Sequence, residues 1–157
     1  SLLGNIKSPV IAGFLISKIN RATDLGHTLI LNSESQLPDS GSEDQVATLI
    51  TTLGNLIENA LEALGPEPGG EISVTLHYRH GWLHCEVNDD GPGIAPDKID
   101  HIFDKGVSTK GSERGVGLAL VKQQGENLGG SIAVESEPGI FTQFFVQIPW
   151  DGERSNR

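Results

Sequence analysis

Hydrophobic positions recur at helical spacing in three stretches of the chain. Residues 8–26 open with a Ser-Pro pair and close with a glycine, which are start and stop signals for a helix. A third helix is predicted over residues 115–128, where a Gly-Gly pair follows. The middle helix, predicted over residues 42–64, has the clearest apolar stripe, made by Val46, Leu49, Ile50, Leu53, Leu56, Ile57, Ala60, Leu61 and Leu64.

Alternating apolar and polar residues predict strands between these helices. Residues 27–32 form a short strand, and residues 71–78 and 82–88 form a hairpin. Residues 131–135 and 141–148 form a second hairpin around a Pro-Gly turn. The order predicts an α+β fold of two layers, in which three helices cover one face of a mixed, mostly antiparallel sheet of about five strands.

A long polar connection separates the first hairpin from the third helix. Residues 91–114 are rich in Gly, Lys, Ser and Asp, and their one apolar group is Ile99–Phe103. Loops longer than about 12–15 residues are uncommon inside a compact domain and are usually functional lids or disordered segments. We therefore expect this connection to serve a binding site.

Composition narrows the function classes. The formal net charge of −10 argues against a nucleic-acid partner, which would require a basic face. No apolar stretch approaches the roughly 20 residues that span a bilayer, so we expect no membrane contact by this domain. The single cysteine, Cys85, excludes a disulfide framework and is expected to be a buried, inert thiol. Five of the 11 basic residues are clustered in sequence, at Lys98, Lys105, Lys110, Arg114 and Lys122.

Two amides of the second helix are candidates for a ligand site. Asn55 and Asn59 lie about 40° apart around the helix and opposite its apolar stripe. Asparagine is a poor helix former, at a cost of roughly 0.5–1 kcal/mol, so two of them in one helix suggest a function. Amide oxygens suit Mg²⁺, which takes its other ligands from water and phosphates. The alternative is an ordinary solvated polar face.

Two glycine-rich motifs supply the remaining chemistry. DDGPG at Asp89–Gly93 follows a strand, so Asp89 can accept a hydrogen bond from an exocyclic amine, although the motif alone also fits a plain turn. GSERGVG at Gly111–Gly117 precedes a helix whose N-terminal N–H groups can bind phosphates. Neither a P-loop nor a GxGxxG fingerprint is present. The five histidines show no metal-ligand spacing with the cysteine.

Together these motifs resemble a known family. NLIENAL, DDGPGI, IFDKGVSTK and GSERGVGLALVK, in this order, resemble the N, first glycine, F and second glycine boxes of the GHKL (Bergerat-fold) ATP-binding superfamily. Within it the chain is similar to the catalytic domains of bacterial sensor histidine kinases. The sequence SPVIAGFLISKINRATDLG further resembles the citrate and C4-dicarboxylate sensor kinases.

The resemblance implies a fold, a substrate and a metal. The fold would be a Bergerat-type two-layer sandwich with a long ATP lid, and the cofactors would be ATP and Mg²⁺. Asn59 would coordinate Mg²⁺, Asn55 would assist at the phosphates, and Lys110 would complete the catalytic set. The triphosphate would also contact the backbone of Gly115, Val116, Gly117 and Leu118.

The same resemblance implies a base pocket. Asp89 would bind the adenine amine, and Phe103 would anchor the lid. Thr142 matches a late Gly-Thr element below the adenine, although Phe141 stands where the family usually has glycine. The walls of the pocket would be shaped by Gly91, Gly93 and Ile94.

The resemblance also implies a reaction and partners. Gyrase-type relatives have a water-activating glutamate where this chain has Asn55, so phosphoryl transfer is expected in place of rapid hydrolysis. The acceptor would be a histidine on a dimerisation domain of the same protein, and a response regulator would follow it. The full-length protein would be a homodimeric inner-membrane sensor with this domain in the cytoplasm. A GHKL-type ATPase and a non-catalytic nucleotide-binding module are the alternatives.

Domain limits and one unusual glycine complete the expectations. Residues 8–150 would form the catalytic domain, residues 1–7 would be a remnant of the upstream domain, and residues 151–157 would be a disordered tail. Gly125 falls on the apolar stripe of the third helix, where the family has a bulky apolar residue. We therefore expect that valine at this position stabilises the domain.

Overall fold

A computed structural model of the chain describes residues 2–104 and 112–151. A short 3-10 helix, Leu2–Asn5, precedes the other elements. These are α1 (Pro9–Asp24), β1 (Thr28–Leu31), α2 (Glu43–Leu64), β2 (Glu71–Arg79), β3 (Trp82–Asp89), α3 (Pro96–Ile99), α4 (Ser112–Asn127), β4 (Ser131–Glu137) and β5 (Phe141–Pro149).

Local side-chain chemistry sets the starts of the two long N-terminal helices. The Ser8 hydroxyl accepts from the Ile11 N–H, and Pro9 occupies the first turn of α1. Ser42 and Gln45 form a reciprocal capping box at the start of α2, with hydrogen bonds of 3.0 and 3.1 Å. These caps fix where α2 begins and therefore which of its residues face the core.

The five strands form one mixed sheet in the order β1-β2-β3-β5-β4. β1 and β2 pair in parallel, whereas β2–β3, β3–β5 and β5–β4 pair antiparallel. Alternate residues of the central strands are buried and form one core with α1 and α2. This arrangement confirms the predicted α+β fold and its mixed, five-stranded sheet.

Two details of the long connection differ from expectation. Residues 96–99 form the short helix α3, because Pro96 occupies its first turn, and α4 begins at Ser112 rather than at Gly115. The prediction of an irregular connection up to residue 114 is therefore wrong at both points. Short polar helical segments are hard to predict from sequence, because they are too short for apolar residues to recur at helical spacing.

The N-terminal residues pack against the same core. Ile6 is buried and forms a parallel bridge with Leu37, and the Lys7 N–H donates to the Leu37 carbonyl at 2.7 Å. At the other end, the Asp151 N–H donates to Gln45 Oε1. The rest of the expected disordered tail lies outside the described residues.

Cys85 and His27 are accounted for within the fold. Burial raises the pKa of the Cys85 thiol to about 12, which agrees with the expectation of an inert cysteine. His27 is buried, with Nε2 2.8 Å from the Gly65 carbonyl and Nδ1 accepting from the Gly70 N–H. It ties the start of β1 to the end of α2.

Among the described helices, none combines the length and apolar character that crossing a bilayer requires.

Candidate functional site

A row of polar residues crosses the sheet at the end of β3. Asp89 on β3 lies opposite Thr142 on β5, and Thr142 lies opposite Ser136 on β4. Asp89 and Thr142 belong to the buried face, with 4% and 5% of their surface exposed. Buried polar side chains are uncommon, so two adjacent ones at a strand end favour a ligand site over plain core packing.

The Asp89 carboxylate is the strongest electrostatic feature of this row. Burial raises its pKa to about 6, and the neighbouring Asp90 charge adds to this, while the hydrogen bond from the Gly91 N–H to Oδ1 at 2.9 Å opposes it. No cation of the described residues pairs with Asp89. A buried acid without a basic partner favours a ligand that donates a hydrogen bond.

Two glycines allow the loop after β3 to fold close to this acid. A Cβ on Gly91 would lie 2.8 Å from Asp89 Oδ1, so a side chain there would displace the carboxylate. Gly93 has φ +73°, and a Cβ on it would lie 2.5 Å from the Glu137 carbonyl oxygen. The Gly139 N–H also donates to the Pro92 carbonyl at 2.7 Å. The loop is therefore held against the β4–β5 turn.

A cavity of about 800 Å³ opens above Asp89 and Thr142. This size is within the range of about 300–1,000 Å³ that is common for small-molecule sites. The cavity brings together six of the residues predicted from the sequence: Asn59, Asp89, Gly93, Ile94, Leu118 and Thr142. Asn59 enters from α2 and Leu118 from α4, so the cavity lies between these helices and the sheet end.

Three other predicted residues lie beside the cavity rather than in its lining. Asn55 donates from Nδ2 to the Thr51 carbonyl at 2.8 Å, and its Oδ1 lies 2.5 Å from the position that a Cβ on Gly117 would take. Gly91 lies under the Asp89 carboxylate, as described above. The Phe103 ring packs edge-on against Phe144 at 6.2 Å between ring centroids.

The phosphate-binding residues predicted from the sequence are only partly described. Lys110 lies outside the described residues, and Gly115 and Val116 lie within α4. Because α4 begins at Ser112, the free N–H groups of its first turn belong to residues 112–114. Gly117 and Leu118 lie further along the helix than the sequence predicted. A Cβ on Gly117 would lie 2.5 Å from Asn55 Oδ1, so a side chain at this position would displace the Asn55 amide.

The cavity also has walls that sequence reasoning missed. Ala63 and Phe144 form its apolar sides, and Lys98 and His101 from the segment around α3 lie at its edge. His101 Nδ1 lies 3.1 Å from Asp104 Oδ2. Ala60 and Ala63 could have been recognised, since small residues beside Asn59 leave room for a ligand. In the sequence, Lys98 carried no signal beyond its charge, and His101 carried none.

Comparison with known proteins agrees with this geometry. The family model described as "Histidine kinase-, DNA gyrase B-, and HSP90-like ATPase" matches residues 44–152, which is more than half of the chain. The chain belongs to this ATPase family. The matched residues include both α2 and the end of β5, the elements that bound the cavity. The resemblance drawn from the four sequence motifs is thereby confirmed at the level of the family.

Individual relatives point to the sensor kinases. The chain is 99% identical over all 157 residues to a sensor histidine kinase, DcuS, of Escherichia coli strain K12, and covers 29% of its length. It is 32% identical over 151 residues to a probable C4-dicarboxylate sensor kinase of Halalkalibacterium halodurans, with 94% of this chain and 28% of the relative covered. The chain therefore spans less than a third of each relative.

A solved structure with a similar fold agrees with this family assignment. Full-length ShkA in complex with AMPPNP superimposes with a TM-score of 0.74 at 28% sequence identity. The match covers 88% of this chain and 30% of ShkA. The fold of this chain is thus found within a longer protein that was crystallised with AMPPNP.

Proposed function

We propose that this chain is the catalytic domain of a sensor histidine kinase, which binds Mg-ATP and transfers its γ-phosphoryl group to a histidine on another domain. The observation that carries the proposal is the buried, unneutralised Asp89 opposite Thr142 at the floor of the cavity. An adenine amine would donate to this acid, and Ile94 would pack against the base. The family membership and the sensor-kinase relatives support the same substrate.

The geometry around α2 favours transfer over hydrolysis. A fast ATPase requires a general base that takes a proton from water. The Asn55 side chain is an amide, whose nitrogen has no basic lone pair and donates to the Thr51 carbonyl, so it cannot act as that base. For transfer to another nucleophile, the protein has mainly to position the phosphates and balance their charge.

Asn59 is a suitable ligand for a magnesium ion held chiefly by phosphates. It lines the cavity one helical turn beyond Asn55, and the described residues contain no cluster of three or more acidic, His or Cys side chains that could form a metal cage. Mg²⁺ in nucleotide sites commonly takes one or two protein oxygens, with phosphate and water oxygens as the rest. When bound, the ion would neutralise part of the negative charge of the phosphates, and the positive charge of Lys110 would neutralise more of it.

The partners follow from the relatives. We propose that the acceptor histidine lies on a dimerisation domain of the same protein, that a response regulator receives the phosphoryl group, and that the full-length protein is a homodimeric membrane sensor. The name of the Halalkalibacterium relative supports C4-dicarboxylates as the signal. In that arrangement this domain would lie in the cytoplasm, where ATP is available.

A labelling experiment distinguishes the candidate reactions. The chain is incubated with ATP labelled at the γ-phosphate, together with the separate histidine-bearing domain. Acid-labile label on histidine supports the kinase, rapid release of free phosphate by this chain alone supports an ATPase, and nucleotide binding with neither product supports a regulatory module. Absence of any Mg-ADP binding in calorimetry would contradict all three.

The Asn59→Ala variant tests the metal assignment. We expect phosphoryl transfer in this assay to fall more than about 100-fold, because mutation of an outer-shell partner of a metal ligand already costs about 10–100-fold and Asn59 would be a ligand itself. Asn20→Ala is the matched control, since Asn20 is an exposed asparagine within α1 and should leave transfer unchanged. Transfer retained by Asn59→Ala would refute the assignment of Asn59.

A further inference from the structure

Ser136 makes three hydrogen-bond contacts that together use its hydroxyl completely. Its Oγ accepts from the Ile94 N–H at 2.8 Å and donates to the Phe141 carbonyl at 2.7 Å. It also lies 3.2 Å from Thr142 Oγ1. A carbonyl oxygen can only accept, so the single hydroxyl proton of Ser136 is assigned to Phe141.

This assignment fixes the direction of the Ser136–Thr142 contact. Since the Ser136 proton is already donated, the proton between the two hydroxyls must come from Thr142. The Ile94 N–H and the Thr142 O–H then occupy the two lone pairs of Ser136 Oγ. Thr142 has no proton left, and it presents only lone pairs to the cavity that it lines.

The oriented hydroxyl lies next to another acceptor. Thr142 is directly opposite Asp89 across β3 and β5, and the ionised Asp89 carboxylate can only accept hydrogen bonds. Two neighbouring acceptors match an exocyclic amine, directly or through a water, because an amine has two N–H donors. Two acceptors do not match a carbonyl oxygen, because its own lone pairs would then face the lone pairs of Asp89 and of Thr142.

We infer that Ser136 is a positioning residue for base selection: by accepting the Thr142 proton it makes Thr142 an acceptor, so that the site selects 6-aminopurine over 6-oxopurine nucleotides. The inference deepens the proposed function and rests on it. Ser136 need not touch the nucleotide. It acts through Thr142, in the same way that an outer partner fixes which atom of a ligating side chain faces the site.

A structural role for Ser136 predicts something different. Ser136 also holds the Ile94 N–H, and Ile94 is a wall of the cavity. If Ser136 only held this wall in place, its loss would weaken the binding of every purine nucleotide by a similar factor. The ratio of affinities for two bases separates the two roles, because a uniform loss cancels in the ratio.

The experiment measures Kd for Mg-ADP and Mg-IDP by calorimetry. Inosine carries a carbonyl oxygen where adenine has the amine, and the phosphates are identical. We expect Ser136→Ala to lower the preference for ADP over IDP about tenfold, since the freed Thr142 hydroxyl can then donate to the inosine oxygen. Ser136→Thr keeps a hydroxyl at this position and should retain most of the preference.

A second pair of variants shows whether the effect passes through Thr142. Thr142→Val should also lower the preference, and adding Ser136→Ala to Thr142→Val should then change the ratio by less than about twofold. Equal losses for both nucleotides in Ser136→Ala would overturn the inference. If Ser136→Ala does not fold, an unchanged preference in Thr142→Val would overturn it equally. A wild-type chain that binds neither nucleotide would instead refute the proposed function.

Discussion

At the scale of single residues, Asp89 combines a stability cost with a binding role. Burial raises its pKa from 3.8 to about 6, so between these values the folded chain keeps a proton that the unfolded chain has lost. The unfolded state binds fewer protons across this window, and the free energy of unfolding therefore falls as the pH rises from about 4 to 6. Above pH 6 the folded chain carries a buried charge that a ligand donor can stabilise.

Asp89→Asn should separate these two effects. At pH 8 we expect the variant without nucleotide to be more stable by about 1–3 kcal/mol, because the buried charge is gone while Oδ1 can still accept from the Gly91 N–H. Its affinity for Mg-ADP should fall at least tenfold, because the amide no longer provides an anionic acceptor. Urea denaturation and calorimetry measure the two quantities.

The pH dependence gives an independent check on the same carboxylate. Wild-type affinity for Mg-ADP should decrease as the pH falls through about 6, whereas Asp89→Asn should lack this step and retain only the titration of the phosphates. Asp90→Asn is the matched control, since Asp90 is exposed and its Oδ1 accepts from the Glu71 N–H, a contact that asparagine can keep. It should keep the step, moved to lower pH, because the Asp90 charge adds to the raised pKa of Asp89. If the step disappeared in Asp90→Asn but persisted in Asp89→Asn, it would belong to Asp90, and the prediction for Asp89 would be wrong.

At the scale of elements, α4 contains an unfilled position. Gly125 lies on the stripe of Val121 and Leu128 and is buried, yet a Cβ built on it would meet no atom within 4 Å. A buried glycine with open space beside it leaves neighbouring side chains without packing partners. The structure therefore has room at this position for the larger residue that the apolar stripe predicts.

Gly125→Val should stabilise the domain by roughly 2 kcal/mol, from better helix propensity and from burial of the side chain. For a chain of this size, that corresponds to a rise in Tm of about 4–8 °C in a thermal melt. Gly13→Val in α1 is the control, because Gly13 is also helical and has free space but is exposed. It should change stability by less than about 0.5 kcal/mol. A melting temperature of Gly125→Val at or below that of the wild type would refute the prediction.

At the scale of the whole molecule, Trp150 secures the end of the sheet opposite the cavity. Its ring is fully buried, Nε1 donates to the Pro38 carbonyl at 2.8 Å, and its backbone N–H donates to the Gly81 carbonyl. A Cβ on Gly41 would lie 2.6 Å from the Trp150 ring, so the loop before α2 folds directly over it. One residue thus joins the β2–β3 turn, this loop and the end of β5.

Trp150→Ala should destabilise the domain by about 3–5 kcal/mol, since a large buried side chain and its hydrogen bond are lost. Because the change lies at the other end of β3 from Asp89, the Kd for Mg-ADP of the folded chain should change less than about twofold. Trp82→Ala is the control: Trp82 is only half-buried, and its loss should cost less. Urea midpoints give the stability, and calorimetry at low temperature gives the affinity.

The elements and the candidate chemistry were predictable because their signals are local. The apolar stripe of α2, the alternation in β2 and β3, and the capping residues each act within a few positions. Asn59, Asp89 and the glycines of the loop after β3 were found for the same reason. The N-terminal limit of α4 was not, because Gly115 is a plausible boundary in sequence while the helix extends back to Ser112.

The sequence by itself determined which segments fold as helices or strands and which residues carry hydrogen-bonding groups. Only the tertiary structure decided that Asp89, Thr142 and Ser136 stand in one row, because strand register depends on pairing between segments far apart in the chain. It also raised the pKa of Asp89 and set the direction of the Thr142 hydroxyl. Burial and hydrogen-bond satisfaction are properties of the surroundings of a side chain, and those surroundings exist only after the chain has folded.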